Sequence, residues 1–209
     1  PEREIYKMAV LGIDISVWQT DSASAPRYFF DPFVAKEKGI QFAFIRASIG
    51  QAKDRAVDTF AETFNDAGIP IGAYHFLRGD VSYVTQADVF VSAVSSHKWQ
   101  LPPVVDVEAN GLGLSIVSAW LGRVESKLGV TPMIYTRASV WNCYAGVEKA
   151  LWALRHPYWI AHYVPKPYPV YQFEDFGSKY PSKLIPYAKA GIDYKFWQFT
   201  QAGDGEYFG

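Results

Sequence analysis

Cysteine is nearly absent from this chain: Cys143 stands alone among 209 residues. That excludes an internal disulfide and any cysteine-based metal cluster. Its neighbours Trp141, Asn142 and Tyr144 offer no base to activate a thiol, so Cys143 is expected to be a small buried hydrophobe. Histidine is scarce as well. His75, His97, His156 and His162 lack ligand-like spacing among themselves, so neither a metal site nor a cofactor is expected. An excess of one charge is also missing. Twenty Lys and Arg face 21 Asp and Glu, for a net charge of −1 with no basic cluster, which argues against a nucleic-acid partner. No apolar run approaches membrane-spanning length, and Pro1 to Met8 has no signal-peptide pattern, so no membrane partner is expected. No Gly/Ser- or Pro-rich linker divides the chain. A single domain over 1–209 is expected, acting as a monomer.

Aromatic residues, by contrast, are plentiful: 17% of the chain, with 7 Trp and 14 Tyr. The excess suits a core and equally suits sugar binding, where flat rings stack on pyranose faces; composition does not separate the two. Short apolar runs alternate with helical patterns. Strands are expected at Met8–Ile15, Phe42–Ser48, Ile69–Leu77, around Val104–Val105, at Pro132–Thr136, Tyr158–Tyr163 and Tyr194–Thr200. Helices are expected within Asp21–Lys38, at Asp54–Ala67, Ser82–Ser96 and Ser115–Leu128, and along Ala138–Ala153. Pro165 to Pro186, rich in Pro, Tyr and Gly, reads as irregular loop. Alternating strands and helices imply a parallel sheet with right-handed crossovers, and near-continuous apolar strands imply that both faces are covered. The first strand lacks a Gly-rich phosphate turn, so a closed barrel fits better than an open doubly wound sheet. Gly-Ile-Asp-x-x-x-Trp-Gln occurs at both Gly12–Gln19 and Gly191–Gln198. It begins inside a strand in one copy and before a strand in the other, which marks it as coincidence.

The chain is organised around Leu101–Gly111, Leu-Pro-Pro-Val-Val-Asp-Val-Glu-Ala-Asn-Gly. Side chains alternate along a strand, so Asp106 and Glu108 share a face, with Cα atoms about 6.5–7 Å apart. Acids that close to an apolar interior are costly unless hydrogen-bonded or partly protonated. One acid with a raised pKa beside one kept ionised is what glycoside hydrolysis needs. Taken alone, the pair could equally cap a helix or end a sheet in an ion pair. The other strands decide between these readings. Asp14, Arg46, Tyr74, His75, Tyr135, Trp159 and His162 all fall toward the carboxyl ends of their strands, where barrels keep functional residues.

With these residues together the chain resembles the family 25 glycoside hydrolases, lysozymes that include bacteriophage endolysins. The match runs from Gly12 to Thr200. It rests on Gly-Ile-Asp14-Ile-Ser-x-x-Gln19, Phe-Ile-Arg46-Ala-Ser-x-Gly50, Gly72-Ala-Tyr74-His75-Phe76, Val-Val-Asp106-Val-Glu108, Pro132-Met-Ile-Tyr135, Trp159-Ile-Ala161 and Trp197-Gln198-Phe-Thr200. The resemblance implies an α/β fold, a TIM-like (β/α)5(β)3 flattened barrel. It implies cleavage of the β-1,4 bond between N-acetylmuramic acid and N-acetylglucosamine in bacterial peptidoglycan. Glu108 corresponds to the general acid/base, with Asp106 and Asp14 as assisting carboxylates. Arg46, Tyr74, His75, Tyr135, Trp159, Trp197 and Gln198 are the candidate substrate-binding set. The sequence departs from the pattern twice: Ile49 replaces a frequent glutamate, and no closing Val-Asp-x-Asn strand appears before Gly209. The eighth strand is therefore expected to be missing from this chain.

Two acids on one strand cannot flank a sugar from opposite sides. Attack by the substrate's own acetamide suits them better, with Glu108 protonating the leaving oxygen and Asp106 orienting the acetamide. A chitinase-like N-acetylglucosaminidase is the enzymatic alternative, although Pro102 to Val105 lack that group's further aspartates. A non-catalytic glycan-binding barrel is the other. His75 and His162 read more readily as strand-end hydrogen-bonding residues than as catalytic ones. Trp120 and Trp152 read as core by helical spacing, while Trp18, Trp159 and Trp197 are candidates for the cleft.

Overall fold

The computed structural model describes residues 10–22, 24, 29–163 and 194–201. Seven strands run parallel: β1 (Gly12–Ile15), β2 (Phe42–Ile49), β4 (Ile71–Phe76), β5 (Val104–Asp106), β6 (Met133–Thr136), β7 (Tyr158–Ala161) and β8 (Tyr194–Gln198), paired in that order. A two-residue strand, β3 (Ala52–Lys53), turns back antiparallel on the end of β2. Helices α1 (Pro32–Glu37), α2 (Val57–Asp66), α3 (Tyr83–Val94) and α4 (Leu114–Leu128) connect the first five parallel strands. Between β6 and β7 lie a single turn, α5 (Ala138–Trp141), and short 3-10 segments at Val147–Lys149 and Leu151–Arg155. The helix expected along Ala138–Ala153 thus stops at Trp141, and Gly146, with a φ of 77° in the left-handed region, keeps it from resuming.

The helices form for reasons visible in their sequences. In α2, Val57, Phe60, Ala61 and Phe64 return on one face, and all four are buried. Asp31 caps α1, its Oδ1 accepting from the backbone of Phe33 at 2.8 Å, with Pro32 in the first turn. Gly129 ends α4 at φ 68°, its N–H donating to the Glu125 carbonyl. On α3 the buried face is Gln86, Ala87, Phe90, Ala93 and Val94. The inward stripe expected from spacing is Val84, Ala87, Val91 and Val94, and of these Val84 and Val91 lie outside the buried face. The larger core lies between the sheet and these helices, where Ile45, Ala73, Val105, Val107 and Ile134 meet Phe60, Phe64, Phe90, Trp120 and Val124.

A second core fills the inside of the curl: Phe44, Val104, Met133, Tyr135, Trp159 and Ala161, edged by Phe42, Tyr74, Leu101 and Phe196. This interior shows how strongly the sheet bends. Four strand spacings of about 4.8 Å would separate β2 from β7 in a flat sheet, yet Phe44 stacks on Trp159 with ring centroids 4.6 Å apart. Glycines make room for the rings. A Cβ on Gly12 would sit 2.2 Å from the Phe42 ring, and one on Gly72 would sit 2.4 Å from Phe44.

Among the described residues the curl stays open between β1 and β8, a half-barrel of seven strands, as the absence of a closing strand led us to expect. A cavity of about 230 Å³ lies along that seam, lined by Gly12–Ile15, Gln19, Phe42, Phe44, Trp159 and Phe196–Gln201. Cys143 is a correction: it is exposed, its thiol donating to the Ser139 carbonyl, because the helix meant to bury it stops at Trp141. The expected loop at 165–186 lies outside the described residues.

Candidate active site

The carboxyl-terminal mouth of the half-barrel collects the acids. Along β5 the alternation is plain: Val104 belongs to the inner core, Val105 and Val107 to the outer one. Asp106 and Glu108 therefore share the inner face. Val107 continues the ladder beyond the strand proper, its N–H donating to the Tyr135 carbonyl at 2.9 Å and its carbonyl accepting from Thr136 Oγ1 at 2.8 Å. Asp106 is 6% exposed and its Oδ1 has no hydrogen-bond partner. Burial first, then the charges of Glu108 and Asp14, hold its pKa well above the ordinary range. Glu108 is partly open to the cleft. Burial raises its pKa, against the pull of the Arg137 guanidinium.

Asp14, on β1, joins them from the far edge of the sheet. Burial pushes its pKa up to about 6, Gln198 pulls it down, and Glu108 adds to the rise. Gln198 Nε2 donates to Asp14 Oδ2 at 2.8 Å, while Gln198 Oε1 accepts from Tyr135 Oη at 2.7 Å and Tyr163 Oη at 3.1 Å. Tyr74, on β4, is partly buried, and desolvation, with the Asp14 and Asp106 charges, raises its pKa and keeps its phenol protonated. Asp14, Tyr74, Asp106, Glu108, Tyr135 and Gln198 thus converge at one mouth.

Of the other expected site residues, Arg46 and His75 are turned to other uses, while Trp159 and Trp197 line the cavity beside Asp14 and Gln198. Arg46 is 8% exposed, and its Nε pairs with Asp54 Oδ2 at 2.8 Å. It lies under the acids as a balanced cation, lowering the Asp106 and Tyr74 pKa values, and presents no free face to a ligand. His75 points the other way. It neighbours Tyr74 on one strand, so only one of the two can face inward, and His75 faces the helices, fully buried and stacked on Trp120 at 5.4 Å. Its Nδ1 meets Ser48 Oγ at 2.8 Å and its Nε2 meets Gln86 Oε1 at 3.1 Å. Burial lowers its pKa to about 4. As a substrate-binding residue His75 is therefore corrected to a core residue. Trp159, 6% exposed, forms the cleft floor between Phe44 and Tyr135. Trp197 lines the seam, its Nε1 donating to the His162 carbonyl at 2.8 Å.

The sequence reading missed four residues. Asp54 looked like the start of a helix; it accepts from Ala56 N–H and from Arg46 at once. Arg137 follows β6 immediately and is the cation that acts on both Glu108 and Asp106. Tyr163 closes the segment that contains β7, a strand-end position that could have marked it. Tyr144, on the loop after α5, has a buried hydroxyl without a partner and feels the Asp106 charge. Among the described residues no group of three or more His, Cys, Asp or Glu could hold a metal ion.

A parallel half-barrel that gathers three acids at the carboxyl ends of its strands places them where such folds keep their functional residues. Comparison with known proteins agrees. The glycosyl hydrolases family 25 model matches residues 13–206, and the chain belongs to that family. Lysozyme M1 of Streptomyces globisporus is 32% identical over 192 residues, covering 81% of this chain and 62% of the relative. An uncharacterized protein YegX of Escherichia coli K12 is 32% identical over 206 residues, covering 92% of this chain and 63% of the relative. The chain thus spans rather less than two thirds of these curated relatives' length. Among solved structures, a family 25 glycosyl hydrolase from Bacillus anthracis superposes with a TM-score of 0.70 at 24% identity, covering 96% of this chain and 82% of the other. A bacterial lysozyme from Streptomyces coelicolor does so at 0.68 and 28%, covering 95% and 87%.

Proposed function

We propose that this chain is a muramidase, hydrolysing the β-1,4 bond between N-acetylmuramic acid and N-acetylglucosamine in bacterial peptidoglycan by substrate-assisted acid–base catalysis. One observation carries the reading: Asp106 and Glu108 share the inner face of one strand end, the first buried with an unpartnered oxygen, the second open to the cleft. Three carboxyls in mutual electrostatic reach inside a desolvated cleft do not all ionise near neutral pH. The cleft therefore holds a proton for delivery. When the acetamide N–H of the substrate donates to Asp106, Asp106 takes the negative charge and the proton stays on Glu108.

The acetamide oxygen then attacks the anomeric carbon as the bond to the leaving oxygen breaks, and Glu108 protonates that oxygen. Asp106 balances the positive charge on the cyclised acetamide. Glu108, now a base, deprotonates a water that opens the ring, so the anomeric configuration is retained. Family membership supports the substrate class, and so does the naming of relatives as lysozyme M1 and N,O-diacetylmuramidase.

The test is to compare release of reducing ends from native peptidoglycan and from the same material chemically de-N-acetylated. Cleavage of the first only is expected. Equal rates would remove substrate assistance, and no release from either, with binding retained, would make this a glycan-binding barrel.

A further inference from the structure

Gln198 is held from three sides. Two phenol hydroxyls, Tyr135 at 2.7 Å and Tyr163 at 3.1 Å, donate to its Oε1, and its Nε2 donates to Asp14 Oδ2 at 2.8 Å. A primary amide has two orientations half a turn apart, and the hydrogen-bond network selects one. Flipped, Gln198 would aim a carbonyl at the carboxylate of Asp14, which is tolerable only if Asp14 carries a proton. The orientation of the amide and the charge on Asp14 are therefore linked. The same contact joins residues 184 apart in sequence and the two edges of the open sheet, so the amide clasps the seam where no backbone ladder between β1 and β8 is described.

We propose that Tyr163, together with Tyr135, is a positioning residue acting through Gln198: the two hydroxyls fix the amide with its N–H toward Asp14, keeping Asp14 ionised while Glu108 and Asp106 share the cleft's proton. This rests on the proposed catalytic role of Asp14. The surroundings require such a device. Asp14 faces Glu108 and Asp106 from the end of β5, Tyr74 from β4 and Tyr163 from beyond β7. Two cations reach this cluster: Arg46, already paired with Asp54, acts on Asp106 and Tyr74, and Arg137 acts on Glu108, Asp106 and Tyr163. The carboxyls surrounding Asp14 and its own burial favour its protonated form; the Gln198 amide is the side-chain donor that opposes them. Without the tyrosines the amide turns freely, the opposition weakens, and the proton moves to a carboxyl that cannot deliver it.

Tyr163→Phe, the Tyr135→Phe/Tyr163→Phe double variant and Gln198→Met keep the shape of the cleft and remove the network in steps. Asp14 is followed by carboxyl-carbon NMR titration, alongside the pH profile of kcat/KM on peptidoglycan fragments. In each variant the Asp14 titration should move up by about 0.5–1 pH unit, as expected when a carboxylate loses one supporting hydrogen bond. The acid limb of kcat/KM should move with it, least in Tyr163→Phe. A merely structural role would lower Tm and leave both midpoints in place. An Asp14 titration unmoved in Gln198→Met would overturn the inference with the catalytic role of Asp14 intact. Full activity of Asp14→Asn would instead overturn that catalytic role, and the inference with it.

Discussion

Asp106 has one oxygen buried without a partner and two like-charged neighbours, Glu108 and Asp14. Its folded pKa is raised, so the native state holds the proton more tightly than the unfolded chain. The stability this confers is full below the ordinary carboxylate range and is lost as pH rises toward the folded value. Asp106→Asn should therefore stabilise the protein at pH 7, by about 1–3 kcal/mol, with a smaller gain at pH 4. The same change should abolish most turnover. Thermal unfolding at the two pH values, beside a wall-lysis assay, checks both; a loss of stability at pH 7 would contradict the burial argument. At Glu108 the expectation differs. Glu108→Gln keeps shape and removes the transferable proton, so kcat should fall by about 10²–10⁴-fold with Tm nearly unchanged. Near-normal lysis would make Glu108 a strand-end residue. Trp18 is a third case: 70% exposed on the 3-10 turn that Ser16 and Gln19 cap reciprocally beside the cleft. Trp18→Ala should raise KM for glycan fragments about 2- to 12-fold, the equivalent of about 0.5–1.5 kcal/mol of lost ring contact, and leave stability alone.

At the level of elements, β4 and α3 are tied by a buried amide. Gln86 accepts from Arg78 N–H at 2.8 Å, donates to the carbonyls of Arg78 and Val81, and meets His75 Nε2. Gln86→Leu would strand all four groups and should cost about 2–4 kcal/mol in denaturant unfolding, while kcat at a temperature where the variant is folded stays close to wild type. A large loss of activity with stability kept would return His75 to the candidate substrate-binding set. This knot explains why His75 was misread. Ile71–Phe76 is apolar on both faces, so its composition does not say whether Tyr74 or His75 points inward. A register shift between Arg46 and Ser48 on β2 brings Ser48 opposite His75, and nothing local in the sequence announces that shift. Helices were easier to read. The buried face of α2 follows from spacing, and Gly129 marks the end of α4, whereas the stretch after β6 stops at Trp141 and leaves Cys143 exposed.

For the molecule as a whole, the open seam sets an order of local stability. β4 and β5 are paired on both sides, whereas β1 and β8 are each paired on one side among the described residues. Amide exchange should accordingly be fastest in β1 and β8 and slowest in β4 and β5, and faster still in β1 once Gln198→Met releases the clasp. Uniform protection across all seven strands would argue that the seam is sealed.

The sequence alone determined the alternation of strands and helices, the pairing of Asp106 with Glu108 on one face, and the gathering of functional residues at strand ends. Each of these depends only on the two-residue period of a strand or the 3.6-residue period of a helix, which are local. Tertiary structure decided the rest. It decided that Tyr74 and not His75 faces the acids, that Arg46 is neutralised by Asp54, and that Gln198 reaches Asp14 across 184 residues. Those outcomes depend on strand phase, register and the curl of the sheet. Where both faces of a strand are apolar, phase leaves no mark in composition, and curl brings together edges that a flat sheet would keep about six strand spacings apart.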